Sequence, residues 1–234
     1  MKKLFKILIL CGLIITLVGC GKNYGKEFKE EYESLNGKKV SSTSELVHRT
    51  VSIDENNPFE KVSAEEIVKK IEKKDTFYLY VGDKMCPWCR SVIEVAIKEA
   101  KAKDISKIYY VNIWDDEHNE ILRDKFEVRE DGSLNKIVAG TEAYHKLLEY
   151  FDSVLSDYTV KDKDGNSIET GEKRIYAPNF FYVENGSVKQ MVEGVSESQS
   201  GAFDELTEDM LNDEINIFDK FFDSSNSCSL GEAC

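Results

Sequence analysis

Residues 76–81 read TFYLYV, and after four intervening residues the chain continues Cys86-Pro87-Trp88-Cys89. A continuous aromatic and aliphatic run of this length has the pattern of a strand buried on both faces. Downstream, residues 91–103 (SVIEVAIKEAKAK) place Ile93, Ile97 and Ala100 at helical spacing. Residues 107–114 (KIYYVNIW) make a second apolar run of strand length. Strand, cysteine pair, helix and strand form a β-α-β order, which points to an α/β fold with a central sheet flanked by helices. With 234 residues and 41% apolar content, the chain can fill one core, or one core plus an insertion.

The Cys-x-x-Cys spacing suits two chemistries. It supplies half of a tetrahedral zinc site, or a dithiol that cycles with a disulfide. A structural zinc site needs four ligands. His48, His118 and His145 show no paired ligand spacing, and Cys228 and Cys234 lie six apart near the end of the sequence. The Pro-Trp interior behind a buried strand favours the dithiol. A purely structural Cys86–Cys89 disulfide is the other alternative.

Thiol chemistry gives each of these residues a reason. The attacking species is the thiolate, and a free cysteine with a pKa of about 8.5 is mostly thiol at neutral pH. At the N-cap of a helix, Cys86 would receive backbone N–H groups and the positive end of the dipole, both of which favour its anion. Pro87 falls at the first helical position, where its missing N–H is not needed. Cys89 is one turn in, less exposed, and placed to resolve a mixed disulfide formed at a surface-facing Cys86. Trp88, between the two, is expected to be exposed and to contact substrate. No metal and no cofactor are called for, because the two sulfurs carry the electrons themselves.

The first residues stand apart from the fold. Lys2, Lys3 and Lys6 precede an apolar stretch from Ile7 to Val18, the pattern of a secretory signal. Leu17-Val18-Gly19-Cys20 resembles the lipobox of bacterial lipoproteins, which implies cleavage before Cys20 and a diacylglyceryl group on its sulfur. Two acyl chains anchor stably. Loss of the three lysines would make the net charge of −13 more negative still. Such a chain lacks the basic footprint of a nucleic-acid binder. It also has no charge attraction to anionic lipid, so the lipid is the expected tether. Outside the cytosol cysteines tend to be oxidised, and two nearby pairs, Cys86 with Cys89 and Cys228 with Cys234, are the simplest partition. The second pair is either a structural disulfide or a second redox pair, and crossed pairing stays open.

The expected organisation is a signal at 1–19, a polar lipid-anchored spacer at 20–45, a main domain at 46–222 and a cysteine-containing tail at 223–234. Residues 46–53 suit a first strand. Ser63-Ala64-Glu65-Glu66 is a capping box, with Val62 and Ile67 as a hydrophobic staple, and predicts a helix to about Lys74. Within 115–174, residues 115–126 look helical, hairpins are expected at 127–138 and 158–171, and 141–155 reads as an amphipathic helix. Its Tyr144, Leu147, Leu148, Tyr150 and Phe151 should pack over the domain. Asn185-Gly186 is a hairpin signal between strands at 180–183 and 187–192. From about Phe203, the residues Leu206, Met210, Ile217 and Phe221 fit a closing helix.

This order, with Cys86-Pro87-Trp88-Cys89 after a buried aromatic strand, Ala177-Pro178 before a hairpin, and a helix after that hairpin, resembles the thioredoxin superfamily over about residues 46–222. Cys-Pro-aromatic-Cys is also the glutaredoxin pattern. The anchor and acidic surface are similar to thioredoxin-like lipoproteins, or bacteriocin-transport-accessory-type proteins, of Gram-positive bacteria. The resemblance implies a central mixed sheet with a helical and hairpin insertion at 115–174. It also implies a cis Pro178 beside the dithiol, with Ala177 offering backbone to a substrate segment. Thioredoxin carries a buried carboxylate six residues before its first active-site cysteine; here that position is Tyr80. Asp83 and Lys84 lie nearby, and residues of both types are mostly exposed.

The functional expectation is an extracytoplasmic thiol–disulfide oxidoreductase. It would act on exported cysteine-containing proteins and exchange electrons with an unidentified donor or acceptor. A non-catalytic accessory or binding lipoprotein with a structural disulfide is the alternative.

Overall fold

A computed structural model describes residues 22–227. The residues read as a signal, together with Cys20, Cys228 and Cys234, lie outside the described residues. Among the described residues no helix is long and apolar enough to cross a membrane.

The elements, in chain order, are α1 (Tyr24–Glu33), β1 (Phe59–Lys61), α2 (Ala64–Glu72), β2 (Phe77–Gly82), α3 (Pro87–Ala102) and β3 (Ile108–Asn112). Then come β4 (Lys125–Val128), β5 (Leu134–Val138), α4 (Glu142–Phe151), β6 (Ser156–Lys161), β7 (Ser167–Arg174), β8 (Asn179–Glu184), β9 (Ser187–Val192) and α5 (Glu208–Ser227). Five strands form one mixed sheet in the order β1-β3-β2-β8-β9. β3 runs parallel to β1 and β2, whereas β8 is antiparallel to both β2 and β9.

β2 is the central strand, and its alternation divides the core. Tyr78 and Tyr80 face a cluster built with α1, α3 and α5, while Phe77, Leu79 and Val81 face one built with α2 and α4. A strand covered on both sides has no use for polar residues, which is why its sequence is a continuous apolar run. The capping box at Ser63 forms: its hydroxyl accepts the Glu66 N–H, and the Glu66 carboxylate accepts the Ser63 N–H. Between β8 and β9, Asn185 and Gly186 both take positive φ, 50° and 74°. Two successive left-handed residues match the twist of a tight hairpin.

The 115–174 segment supplies the hairpins β4–β5 and β6–β7 and the helix α4. Tyr144, Leu147 and Phe151 of α4 are buried, and the Phe151 ring stacks on Phe181 at 4.5 Å. Leu148 is partly buried and Tyr150 is exposed.

Four expectations are corrected. The residues read as a spacer hold α1, whose Phe28 and Tyr32 enter the core four residues apart. The charged residues around these two hid their helical spacing, and burying each is worth roughly 1.5–3 kcal/mol. Residues 46–53 form no strand of the sheet; Leu46 and His48 bond the backbone of residues 37–40, Val47 makes an isolated bridge to Lys39, and side chains hold Val51 and Ile53. The Asn36 amide bonds both the N–H and the carbonyl of Val51, and Glu33 accepts the Ile53 N–H. Residues 115–126 are not helical. The Asp115 carboxylate accepts the N–H groups of Glu117 and Asn119, and this local bonding competes with a helix. Finally, α5 starts at Glu208 and not near Phe203, leaving Leu206 outside it, and it buries Glu214, Phe218, Phe221 and Phe222.

Candidate functional site

The dithiol stands where β2 passes into α3. Cys86 is the N-cap residue of α3, with extended backbone (φ −69°, ψ 116°), and its Sγ accepts the Cys89 N–H at 3.3 Å. Pro87 takes the first helical position. Across a gap of 3.4 Å, Cys86 Sγ donates to the Ala177 carbonyl, and the Ala177–Pro178 bond is cis. Residues 86–89 and 177–178 thus meet, although about ninety positions separate them in sequence.

Both cysteines are free thiols, and their environments separate them. Hydrogen bonding from the Cys89 thiol and from the N–H groups of Cys89 and Trp88 draws the Cys86 pKa down, against burial and the Asp83 charge. Burial pushes the Cys89 pKa well up, and the Tyr80 hydroxyl works the other way. The arrangement favours thiolate at the outer sulfur and thiol at the inner one.

Cys86 is less open than expected. It is 4% exposed and Cys89 is fully buried. Trp88 and Ala177 pack on the same cluster as the two sulfurs, and they narrow the approach. Trp88 is half-buried, not exposed. It borders a groove of about 400 Å³ that continues along Ala177, Pro178 and Val195 to Glu193 and Glu197.

Tyr80 fills the position where the resemblance placed a carboxylate. Its ring is fully buried, stacked between Tyr110 and Phe180, and its hydroxyl lies 2.8 Å from that of Tyr32. A Cβ on Gly82 would run into this hydroxyl, so the glycine makes room for it. The nearby carboxylate is Asp83, which is fully buried and not an exposed loop residue. One oxygen accepts the Met85 N–H at 2.7 Å, while Oδ2 is buried without a hydrogen-bond partner. Burial raises its pKa to about 7. Lys84 is also mostly covered and pairs with Asp116.

Arg90, directly after the dithiol, is fully buried and ties three segments to α3. It donates to the carbonyls of Arg49, Tyr32 and Lys84 and to the Asn36 side chain. Sequence reading missed it, although an arginine inside the apolar face of a helix was a visible signal. His48 is buried with Nδ1 unpartnered, and His145 is exposed with Nε2 at 2.7 Å from Asp124. Trp114 is partly buried between the two core clusters. Among the described residues no group of three or more His, Cys, Asp or Glu side chains could hold a metal ion.

No protein-family model matches the chain. No curated protein matches it either.

Proposed function

We propose that the protein is a thiol–disulfide oxidoreductase of thioredoxin-like fold, lipid-anchored through Cys20, that acts outside the cytoplasm on cysteine-containing exported proteins. Support for the fold comes from the sheet order and from a dithiol helix that follows the central strand, facing an Ala-Pro pair at the start of β8. One observation carries the chemistry: Cys86 Sγ caps α3, receives the Cys89 N–H and has the Ala177 backbone at contact distance.

In the reducing direction, the Cys86 thiolate attacks one sulfur of a partner disulfide. The Cys86–partner bond forms, the partner's own S–S bond breaks, and one partner thiolate leaves and takes a proton from water. Cys89 then loses its proton and attacks Cys86 Sγ. The Cys86–Cys89 disulfide forms and the second partner thiolate leaves, so two electrons have passed to the partner. The reverse sequence oxidises a partner dithiol. A further dithiol or disulfide resets the pair, and relative potentials set the direction. Cys228 and Cys234 are candidates for that role.

Cys86→Ser should abolish reduction of insulin disulfides, and Cys89→Ser should accumulate mixed disulfides with partners. Full activity in Cys86→Ser would overturn the assignment. The near-closure of Cys86 favours a second reading, an accessory protein whose Cys86–Cys89 bond is structural. Redox titration separates the two. A structural disulfide resists reduction down to below about −300 mV, whereas a working pair titrates higher.

A further inference from the structure

The groove beside the dithiol has one sign of charge. Among the described residues that line it, the charged ones are Glu193 and Glu197, both exposed. Neither makes an ion pair with a described residue. No lysine or arginine lines it among the described residues. The apolar floor of Trp88, Pro178 and Val195 suits an extended peptide, and the free carboxylates stand at its rim.

We propose that the groove selects cysteine-containing segments flanked by lysine or arginine, with Glu193 and Glu197 as the selecting residues. This rests on the oxidoreductase reading and names the partner's chemistry at that site. The physical basis is long-range attraction: rim charges act chiefly on the rate of encounter and on its salt dependence, not on the chemical step. The carboxylates also disfavour acidic segments, since like charge in a groove is costly to bring together.

The test needs no external reductant. The fully reduced chain is mixed in excess with symmetrical disulfides of two synthetic peptides of equal length. One peptide has lysines on both sides of its cysteine and the other has glutamates. Loss of the peptide disulfide is followed by rapid quenching. At low salt the lysine peptide should react about tenfold faster, within the range of electrostatic steering. Flanking lysines also activate the peptide's own sulfur, so the E193Q/E197Q double variant decides. The ratio between the peptides should fall severalfold in that variant, and 1 M salt should shrink the wild-type ratio similarly. Equal rates in the wild type, or an undiminished ratio in the variant, would overturn the groove inference and leave the dithiol reading standing. If neither peptide disulfide is reduced and the oxidised chain also fails to oxidise the matching peptide thiols, the dithiol reading falls and the groove inference with it.

Discussion

Tyr32 and Tyr80 share a fully buried hydrogen bond of 2.8 Å between their hydroxyls. The Tyr80 hydroxyl also works to lower the Cys89 pKa, so the N-terminal helix α1 is linked to the dithiol through two phenols. A carboxylate so close to Cys89 would oppose its ionisation by charge. A hydroxyl can donate to the thiolate and adds no charge of its own.

Replacing Tyr80 by Phe should therefore slow resolution more than attack. Without its donor the Cys89 thiolate is less favoured, and a lost hydrogen bond to a charged group is worth about 1.5–3 kcal/mol. That corresponds to a mixed disulfide resolved roughly ten- to a hundredfold more slowly. Quenched-flow trapping of the mixed disulfide would show it accumulate. An unchanged lifetime would separate Tyr80 from the chemistry. The Tyr32 hydroxyl would also be left buried and unpaired, so a stability loss of about 1–3 kcal/mol should accompany the change.

Asp83 should tie thiol reactivity to pH. Its ionised form opposes the Cys86 thiolate, and burial holds its own pKa at about 7 instead of 3.8. In Asp83→Asn that opposing charge is gone. The pH midpoint for alkylation of Cys86 should then move down from its wild-type position. A folded-state pKa above the unfolded one means that Asp83 favours folding fully below about pH 4, and that this is lost as pH rises to about 7. The melting temperature of the wild type should fall across that window, and Asp83→Asn should flatten the fall. A parallel decline in both proteins would rule Asp83 out as its source.

How much of this was legible in the sequence differs by element. The dithiol, its capping position and the buried strand before it could be read because each is local: period, spacing and one proline suffice. The hairpins at 131–132 and 185–186 were legible for the same reason. α1 was not, since Phe28 and Tyr32 are two aromatics in a strongly charged stretch, and their burial depends on distant Phe59 and Tyr110. The exposure of Cys86 was misjudged because Ala177, about ninety positions away, covers it, and the burial of Asp83 because it is set by the fold around it. Residue type predicts only average burial.

The docking of α1 makes a stability prediction. Phe28 stacks on Phe59 at 4.4 Å and meets Tyr110 edge-on. Phe28→Ala removes most of a buried ring and leaves a cavity, a change that typically costs 3–5 kcal/mol. Urea unfolding should show a lower midpoint by the corresponding amount. If α1 were only a spacer, the midpoint would not move.

Glu214 lies on α5 with both carboxylate oxygens buried and unpartnered among the described residues. Burial raises its pKa to about 8, and the neighbouring Arg49 charge offsets only part of this. Because the folded-state value exceeds the unfolded one, Glu214 binds its proton more tightly in the native protein. Its contribution is therefore fully present below about pH 4.5 and is lost as pH climbs through about 8. Glu214→Gln keeps the shape without the titration. The variant and the wild type should have similar melting temperatures near pH 4.5. By pH 8.5 the variant should be the more stable, by a few kcal/mol at most. Thermal melts of both proteins across this range check the sign. A wild type that outlasts the variant at high pH would mean that the ionised carboxylate has found a partner, with Arg49 the nearest candidate.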